Sequence, residues 1–397
     1  MTNFDPPTTI YLDHNATTPV LPAVAQAMAE CLAAGYANPA SGHGPGRRAR
    51  QVLEDAREAV AAILGADLGG RPADRLVFTS GGTEANNLAL LGLAGEGPPG
   101  EIVVSVIEHS SIGSAAQRLQ RHGWLVHRLG VDASGVVRLS ELADRLNRRT
   151  RAVAIMLANN ETGVLQPAAE AARICRAVGV PLHVDACQAV GKLPVDFAAL
   201  GAATLSFAAH KFHGPLGIGG LVVRPDIELS PLLSGGFQQG GLRPGTESVV
   251  LAVGLYAALE AYWSDAVERT SRLSALRDRL ESGLRSAWPH LVVNGGAALR
   301  GPQTVNSAFV GHDRQALWMA LDLAGVACST GSACASGSSE PSPVLIAMGC
   351  PPEVVGSALR FSLGATTTAA QIDEAVGRIG RCLAQVRPVT LERTGRG

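Results

Sequence analysis

The sequence predicts an α/β chain: a mainly parallel seven-stranded sheet covered by helices, followed by a smaller α+β C-terminal domain. Short β-rich runs alternate with helical runs over the first two-thirds of the chain, the pattern of parallel strands joined by helical crossovers. With 397 residues, 46 of them Gly, and only 4% aromatics, the chain suits an Ala/Gly-rich α/β enzyme better than a β-sandwich. The hydrophobic set is 46% and charged residues 17%, which excludes a disordered chain.

The elements follow in order. Val20–Ala34 is a short helical pattern, and Arg47–Leu64 a longer one with Val52, Ala56, Val60 and Ile63 on one face. Leu76–Thr79 is a strand, with a helix from Glu84. Ile102–Val106 is the next strand, with a helix to about Arg121. Leu125–Leu129 and Ala152–Leu157 are strands, Ala168–Val178 a helix and Leu182–Val184 a strand. Thr204–Phe207 and Ile218–Val223 complete the sheet. Pro231–Gly245 is Gly-rich and irregular. A long helical region, about Ser248–Ala287, leads to strands Leu291–Val293 and Thr304–Phe309 and the helix Arg314–Ala324. A Ser/Gly/Cys loop at 328–342, the strand Ala358–Ser362 and the helix Ala369–Val386 close the chain. The expected division is 15–260 for the large domain, with 1–14 and 261–397 forming the small one.

Charge and cysteine usage exclude several function classes. The 33 Lys+Arg balance 34 Asp+Glu, leaving no basic footprint for direct nucleic-acid binding and no polycationic face for a membrane. The first residues show no secretory signal, and the apolar stretch Ser248 to Leu259 is about half a membrane span. Seven cysteines (31, 175, 187, 328, 334, 350, 382) form no CxxC pair and no zinc-ligand spacing. An odd count of this kind reads as reduced thiols in the cytoplasm, with no resident metal. Of the 33 basic residues only two are Lys, at 192 and 211. Arg cannot supply a deprotonatable amine, so any amine chemistry falls to one of these two.

In an open α/β sheet, ligands lie beyond the carboxyl ends of the strands. Ser80-Gly81-Gly82-Thr83-Glu84 follows one strand and opens a helix. Two glycines let the backbone approach an oxyanion, and the helix end with Thr83 can hold a phosphate. Taken alone it reads equally as an N-cap turn, and it is neither a Walker loop nor GxGxxG. Asp185 ends a second strand, where a buried carboxylate calls for a cation such as a protonated pyridine nitrogen, and Gln188 can reach the same ligand. Alone, Asp185 also reads as a helix cap. Lys211 follows a third strand at the same edge, where partial desolvation makes an amine nucleophilic toward an aldehyde. Lys192 reads as a snorkelling surface lysine. Phosphate loop, acid and amine in this order fit pyridoxal 5'-phosphate.

The chain resembles cysteine desulfurases of the NifS/IscS type, within the class-V aminotransferase family of fold-type-I pyridoxal-phosphate enzymes. The likeness is carried by Tyr11-Leu12-Asp13-His14-Asn15-Ala16-Thr17-Thr18-Pro19, Asn38-Pro39-Ala40-Ser41-Gly42-His43, Phe78-Thr79-Ser80-Gly81-Gly82-Thr83-Glu84 and Glu108-His109. It continues through Asn159-Asn160-Glu161-Thr162-Gly163, His183-Val184-Asp185-Ala186-Cys187-Gln188, His210-Lys211 and Arg243-Pro244-Gly245-Thr246. It ends with Ser329-Thr330-Gly331-Ser332-Ala333-Cys334, Glu340-Pro341-Ser342 and Arg360-Phe361-Ser362-Leu363.

The resemblance implies the following roles. Lys211 is the Schiff-base lysine, Asp185 pairs with the pyridine nitrogen, and His109 stacks on the ring and takes part in proton transfer. Asn160 and Gln188 bond the ring-hydroxyl region; Gly82, Thr83 and His210 hold the phosphate. Thr246 reaches the phosphate of a neighbouring subunit, implying a homodimer. Arg360, with Asn160, binds the substrate carboxylate, and Cys334 is the nucleophile. The implied reaction removes sulfur from L-cysteine, giving L-alanine and a persulfide on Cys334. The sulfur passes to an acceptor such as an Fe-S scaffold or a tRNA-thiolation protein, and Cys334 is able to ligate an iron–sulfur cluster transiently. The Gly/Ser-rich stretch at 329–342 suits an arm that carries Cys334 outward.

The chain departs from the family pattern in four places. Ala208 replaces a phosphate-binding hydroxyl, from which a lower cofactor affinity is expected. Gln239 and Gly240 stand for a Glu-Arg pair near the subunit boundary. Leu216 stands where a Lys is common, and Cys328 adds a thiol near the arm, either packed in the core or able to take a persulfide. Alternative readings are selenocysteine lyase or another class-V pyridoxal-phosphate enzyme, and a non-catalytic sulfur-delivery scaffold. A nicotinamide dehydrogenase is disfavoured by the absent GxGxxG.

Overall fold

The structure, a computed structural model, describes residues 8–331 and 340–386. Its strands in chain order are β1 (Ile10–Tyr11), β2 (Arg75–Thr79), β3 (Glu101–Ser105), β4 (Leu125–Leu129), β5 (Thr150–Met156), β6 (Leu182–Asp185), β7 (Thr204–Ala208), β8 (Gly219–Val223), β9 (Leu291–Val293), β10 (Thr304–Phe309), β11 (Val326–Ala327) and β12 (Ala358–Ser362). Seven of them form the central sheet in the order β2-β8-β7-β6-β5-β3-β4. The pairs from β7 through β6, β5 and β3 to β4 are all parallel. β8 runs antiparallel to both neighbours, β2 and β7, so it alone is reversed. The mainly parallel sheet of the sequence reading is therefore present. Its inner strands are apolar runs buried along their length, as β3 shows from Glu101 to Ser105, because helices cover both faces.

The helix Gly44–Ile63 buries Ala49, Leu53, Ala56 and Val60 at helical spacing. Its core stripe is thus centred one residue away from the expected face, leaving Val52 and Ile63 half-buried. The expected long helix is two: Val249–Trp263 and Ala266–Ala287. The break falls at Ser264-Asp265, where the Asp265 backbone takes φ −134° and ψ 21° outside the helical region. The first of the pair packs against both Pro22–Ala33 and Gly44–Ile63.

The second, smaller core gathers Leu273, Leu280, Leu284, Phe309, Leu317, Leu359, Phe361 and Ile379 beneath the three-stranded sheet β12-β10-β9. Ile10 and Leu12 join it, because β1 pairs in parallel with β11. Cys328 is packed here and buried, which favours the core reading of that residue. Short helices at Phe197–Leu200, Pro343–Ala347 and Pro352–Val355 carry too few residues for a periodic signal. No helix among the described residues is long and apolar enough to cross a membrane.

Candidate active site

Because β2, β3, β5, β6 and β7 point the same way, the residues after them share one edge of the sheet. A pocket of about 280 Å³ opens there. It is lined by Gly82 and Thr83 after β2, His109 after β3, Asn160 after β5, Asp185 and Gln188 at and after β6, and His210 and Lys211 after β7. Arg360 of β12 completes the wall from the smaller core.

Each position has a local cause. Gly81 takes φ +153° and gives the following helix no side-chain cap, so the helix start faces the pocket. A Cβ on Gly82 would lie 2.6 Å from Cys187 Sγ, so no larger residue fits this turn. Asn160 sits on a turn built by Asn159, whose Oδ1 accepts from the backbone N–H of Glu161 and of Thr162, each at 2.9 Å. Lys211 Nζ donates to the carbonyl oxygens of Asn15 and Ala16 at 2.7 and 2.8 Å. Asp185 accepts from Cys187 N–H at 2.9 Å and from Asn86 Nδ2 at 2.7 Å. Burial, aided by the neighbouring Lys211 charge, pushes the His210 imidazole down to about 4, so it is neutral beside Thr17 Oγ1 at 3.2 Å.

Arg360 is 1% exposed. Its Nη2 pairs with Asp13 Oδ1 at 2.6 Å, and Nη1 donates to the carbonyls of Asn160 and Gly331 at 3.0 and 3.3 Å. A guanidinium has five N–H donors. Three are thus engaged, and among the described residues Nε has no partner. The remaining donors are Nε–H, itself sealed from solvent, and one on Nη2.

One expected residue lies elsewhere. Thr246 is exposed and lines a separate cavity with Ser80 and Arg243, not the central pocket. Cys334 lies outside the described residues. Gly331 and Ser342, described residues on either side of its segment, both approach Glu161: a Cβ on Gly331 would lie 3.0 Å from Glu161 Oε2, and Ser342 Oγ donates to that oxygen at 2.6 Å.

Lys192 overturns its sequence reading. It is buried, 5% exposed, and its Nζ donates to Gln188 Oε1 at 2.5 Å and to Asn15 Oδ1 at 3.4 Å. Burial, with the Lys211 and Arg360 charges adding to it, holds its pKa well below the ordinary lysine range. The contact fixes the Gln188 amide: Oε1 faces Lys192, while Nε2 donates to Asn15 O at 2.9 Å and keeps a second hydrogen. Gln239 also gains a role. Its Oε1 accepts from Phe78 N–H at 2.6 Å and from Arg57 Nη1 at 2.9 Å, and its Nε2 donates to Phe78 O at 2.8 Å. A Glu there could accept from Phe78 N–H but not donate to Phe78 O.

All six described cysteines are free thiols. Burial pushes each of them up: Cys175 to about 12, Cys187 and Cys328 strongly, and Cys31, Cys350 and Cys382 in the same direction. Cys187 lines the pocket yet is held protonated by burial and then by Asp185. None of the six is poised as a thiolate.

Beneath the pocket, His14 and His183 are pushed down to about 3 and 4, first by burial, while burial pushes Glu108 up to about 8. Below pH 6.5 the unfolded chain takes up protons that the two folded imidazoles refuse, so their contribution to stability is lost as pH falls toward 4. Glu108 works oppositely: it holds a proton in the fold that the unfolded chain releases above pH 4.5. Between pH 6.5 and 4.5 the two imidazoles outweigh the single carboxyl, so these three groups together lower stability as pH falls. Glu108→Gln removes the opposing group and is expected to steepen the loss of stability on acidification. Urea melts at pH 6.5 and 5.5 check this, and an unchanged slope in the variant refutes it.

The class-V aminotransferase family profile matches residues 10–375, and the chain belongs to that family. Its relatives include a cysteine desulfurase, NifS of Azotobacter vinelandii, 38% identical over 389 residues that span 98% of this chain and 96% of the relative. A solved NifS-like protein superposes with a TM-score of 0.88 at 33% identity, over 96% of this chain and 100% of its own. SspA, solved in complex with cysteine, gives 0.79 at 32% identity over 91% of this chain and 100% of its own.

Pyridoxal phosphate is the cofactor of this family, and the residues present fit it. The Gly82 cradle and open helix start suit its phosphate. Asp185 suits its ring nitrogen and Lys211 its aldehyde.

Proposed function

We propose that this chain takes sulfur from L-cysteine, releasing L-alanine and keeping the sulfur as a persulfide on Cys334. It is a pyridoxal-phosphate-dependent cysteine desulfurase. The observation that carries the reading is the convergence of Lys211, Asp185, Gly82, Thr83, His109, Asn160, Gln188, His210 and Arg360 on one pocket.

Gly82, Thr83 and His210 hold the phosphate, Asp185 the ring nitrogen, His109 a ring face, and Asn160 and Gln188 the ring-oxygen side. When bound, the cofactor's pyridinium supplies an electron sink for negative charge developing at the substrate Cα. Lys211 is the amine placed to hold the aldehyde and, once displaced by substrate, to take the Cα proton. Arg360 binds the substrate carboxylate through its unused donors. Cys334 attacks the substrate sulfur as a thiolate. An S–S bond forms and the Cβ–S bond breaks; each of the two sulfurs is oxidised by one unit, Cβ is reduced by two, and Cβ takes up a proton and Cα regains the one it lost to give alanine. The raised thiols elsewhere support Cys334 as nucleophile, since none of the other six cysteines is activated.

Residues 15–260 are taken as the cofactor domain, with 1–14 and 261–397 as the smaller one. Exposed Thr246 and the exposed Leu232, Leu233 and Phe237 on the preceding segment support a homodimer in which Thr246 completes the partner's phosphate site. The free thiols support a reducing, cytoplasmic setting. An acceptor protein, such as an Fe-S scaffold or a tRNA-thiolation partner, takes the sulfur onward.

The test is Cys334→Ala. It is expected to retain the cofactor's absorption band and to lower cysteine-dependent alanine formation by at least ~100-fold. Unchanged turnover would remove the nucleophile from the scheme.

A further inference from the structure

One buried amide joins two of the pocket's residues. Asn86, on the helix Gly82–Ala94, is 1% exposed. Its Nδ2 donates to Asp185 Oδ2 at 2.7 Å and to Ser111 Oγ at 2.8 Å. Its Oδ1 accepts from His183 Nε2 at 3.0 Å and from Ser206 Oγ. All four amide positions are used, and a carboxylate only accepts, so the nitrogen faces Asp185 and the amide cannot be turned over.

The consequence reaches His109. Ser111 Oγ accepts from Asn86, and its own hydrogen is directed at His109 Nδ1, 2.8 Å away. The Ser111 backbone N–H donates to the same nitrogen at 3.2 Å, as the cap of the helix Ser110–Arg121. Two donors converge on Nδ1, so Nδ1 is an acceptor and the proton of the neutral ring sits on Nε2.

We infer that Asn86 is a positioning residue that, through Ser111, locks His109 in its Nε2–H tautomer while orienting Asp185. In that tautomer Nε2 carries the hydrogen and is a donor at rest, not a vacant base. Proton uptake by His109 has to displace Ser111 from Nδ1. The inference rests on the proposed function for its catalytic meaning, but not for the tautomer itself.

The experiment is nitrogen-15 NMR of histidine-labelled holoenzyme and of protein stripped of cofactor, with Ser111→Ala and Ser111→Thr variants assigning His109. In the wild type, Nδ1 is expected at the shift of an unprotonated acceptor and Nε2 at that of a protonated nitrogen, in both forms. An Nδ1–H tautomer or an even mixture overturns the inference without any variant. Ser111→Ala is expected to lower kcat roughly 10-fold with KM unchanged and to displace the pH profile, the size expected for one lost hydrogen bond, and Ser111→Thr to restore both. Wild-type kinetics and pH profile in Ser111→Ala also overturn it. Asn86→Ala is expected to weaken cofactor retention and to mix the His109 tautomers together; a variant that moves only one of these refutes the coupling. If the tautomer is as expected but wild-type protein releases no alanine from cysteine, the proposed function fails and the positioning stands.

Discussion

Lys211→Ala is expected to lower kcat/KM for cysteine by about 10³-fold or more, because it removes the amine proposed both to anchor the aldehyde and to act as base at Cα. Lys211→Arg should be no better, since a guanidinium cannot be deprotonated at neutral pH. The fold should survive. Nζ contributes hydrogen bonds to the carbonyls of Asn15 and Ala16, each worth about 1 kcal/mol. Borohydride reduction of the holoenzyme followed by cleavage at lysine gives a simple map, because the chain has only Lys192 and Lys211. The label is expected on Lys211; a label on Lys192, or alanine formation by Lys211→Ala within tenfold of wild type, would end the scheme.

Arg360→Ala is expected to be the second largest effect. The guanidinium holds Asp13 at 2.6 Å and two backbone carbonyls while keeping donors for a substrate carboxylate. Losing a charge-assisted pair of bonds should cost about 10²-fold in kcat/KM, carried mainly by KM. Arg360→Lys should recover little, because an ammonium cannot present a planar fork. Cofactor absorption should remain, which separates this variant from Lys211→Ala. Removal of the buried charge also leaves Asp13 without its partner, so a lowered Tm is expected alongside the kinetic loss. A variant that loses Tm but keeps its KM for cysteine would make Arg360 structural only.

Much of this is legible in the sequence alone. Lys211, Asp185 and Gly82 follow runs whose apolar, β-branched character marks buried strands. Once the strands are parallel, their ends share one edge. What escaped was the packing of side chains from distant segments. Asn86 and Asp185 are 99 residues apart and carry no shared pattern. From sequence Lys192 reads as a surface residue because lysine is rarely buried; only the meeting of Gln188 and Asn15 around it supplies acceptors. The break at Ser264-Asp265 did leave a signal, since Asp is a common residue at a helix start, but the apolar pattern on both sides reads as continuous. Thr246 lies outside the pocket, and the role proposed for it belongs to a second copy.

The scarcity of lysine has a further effect on how this protein meets its own cofactor. Free pyridoxal phosphate is an aldehyde that condenses with accessible primary amines. With Lys192 sealed inside, the side chains offer it a single destination, Lys211. The surface, studded with arginine, is bland toward carbonyl compounds, so loading with excess cofactor should saturate near one equivalent per chain, apart from the N-terminal amine. For the same reason, amine-directed cross-linkers would leave a dimer of this chain uncaptured.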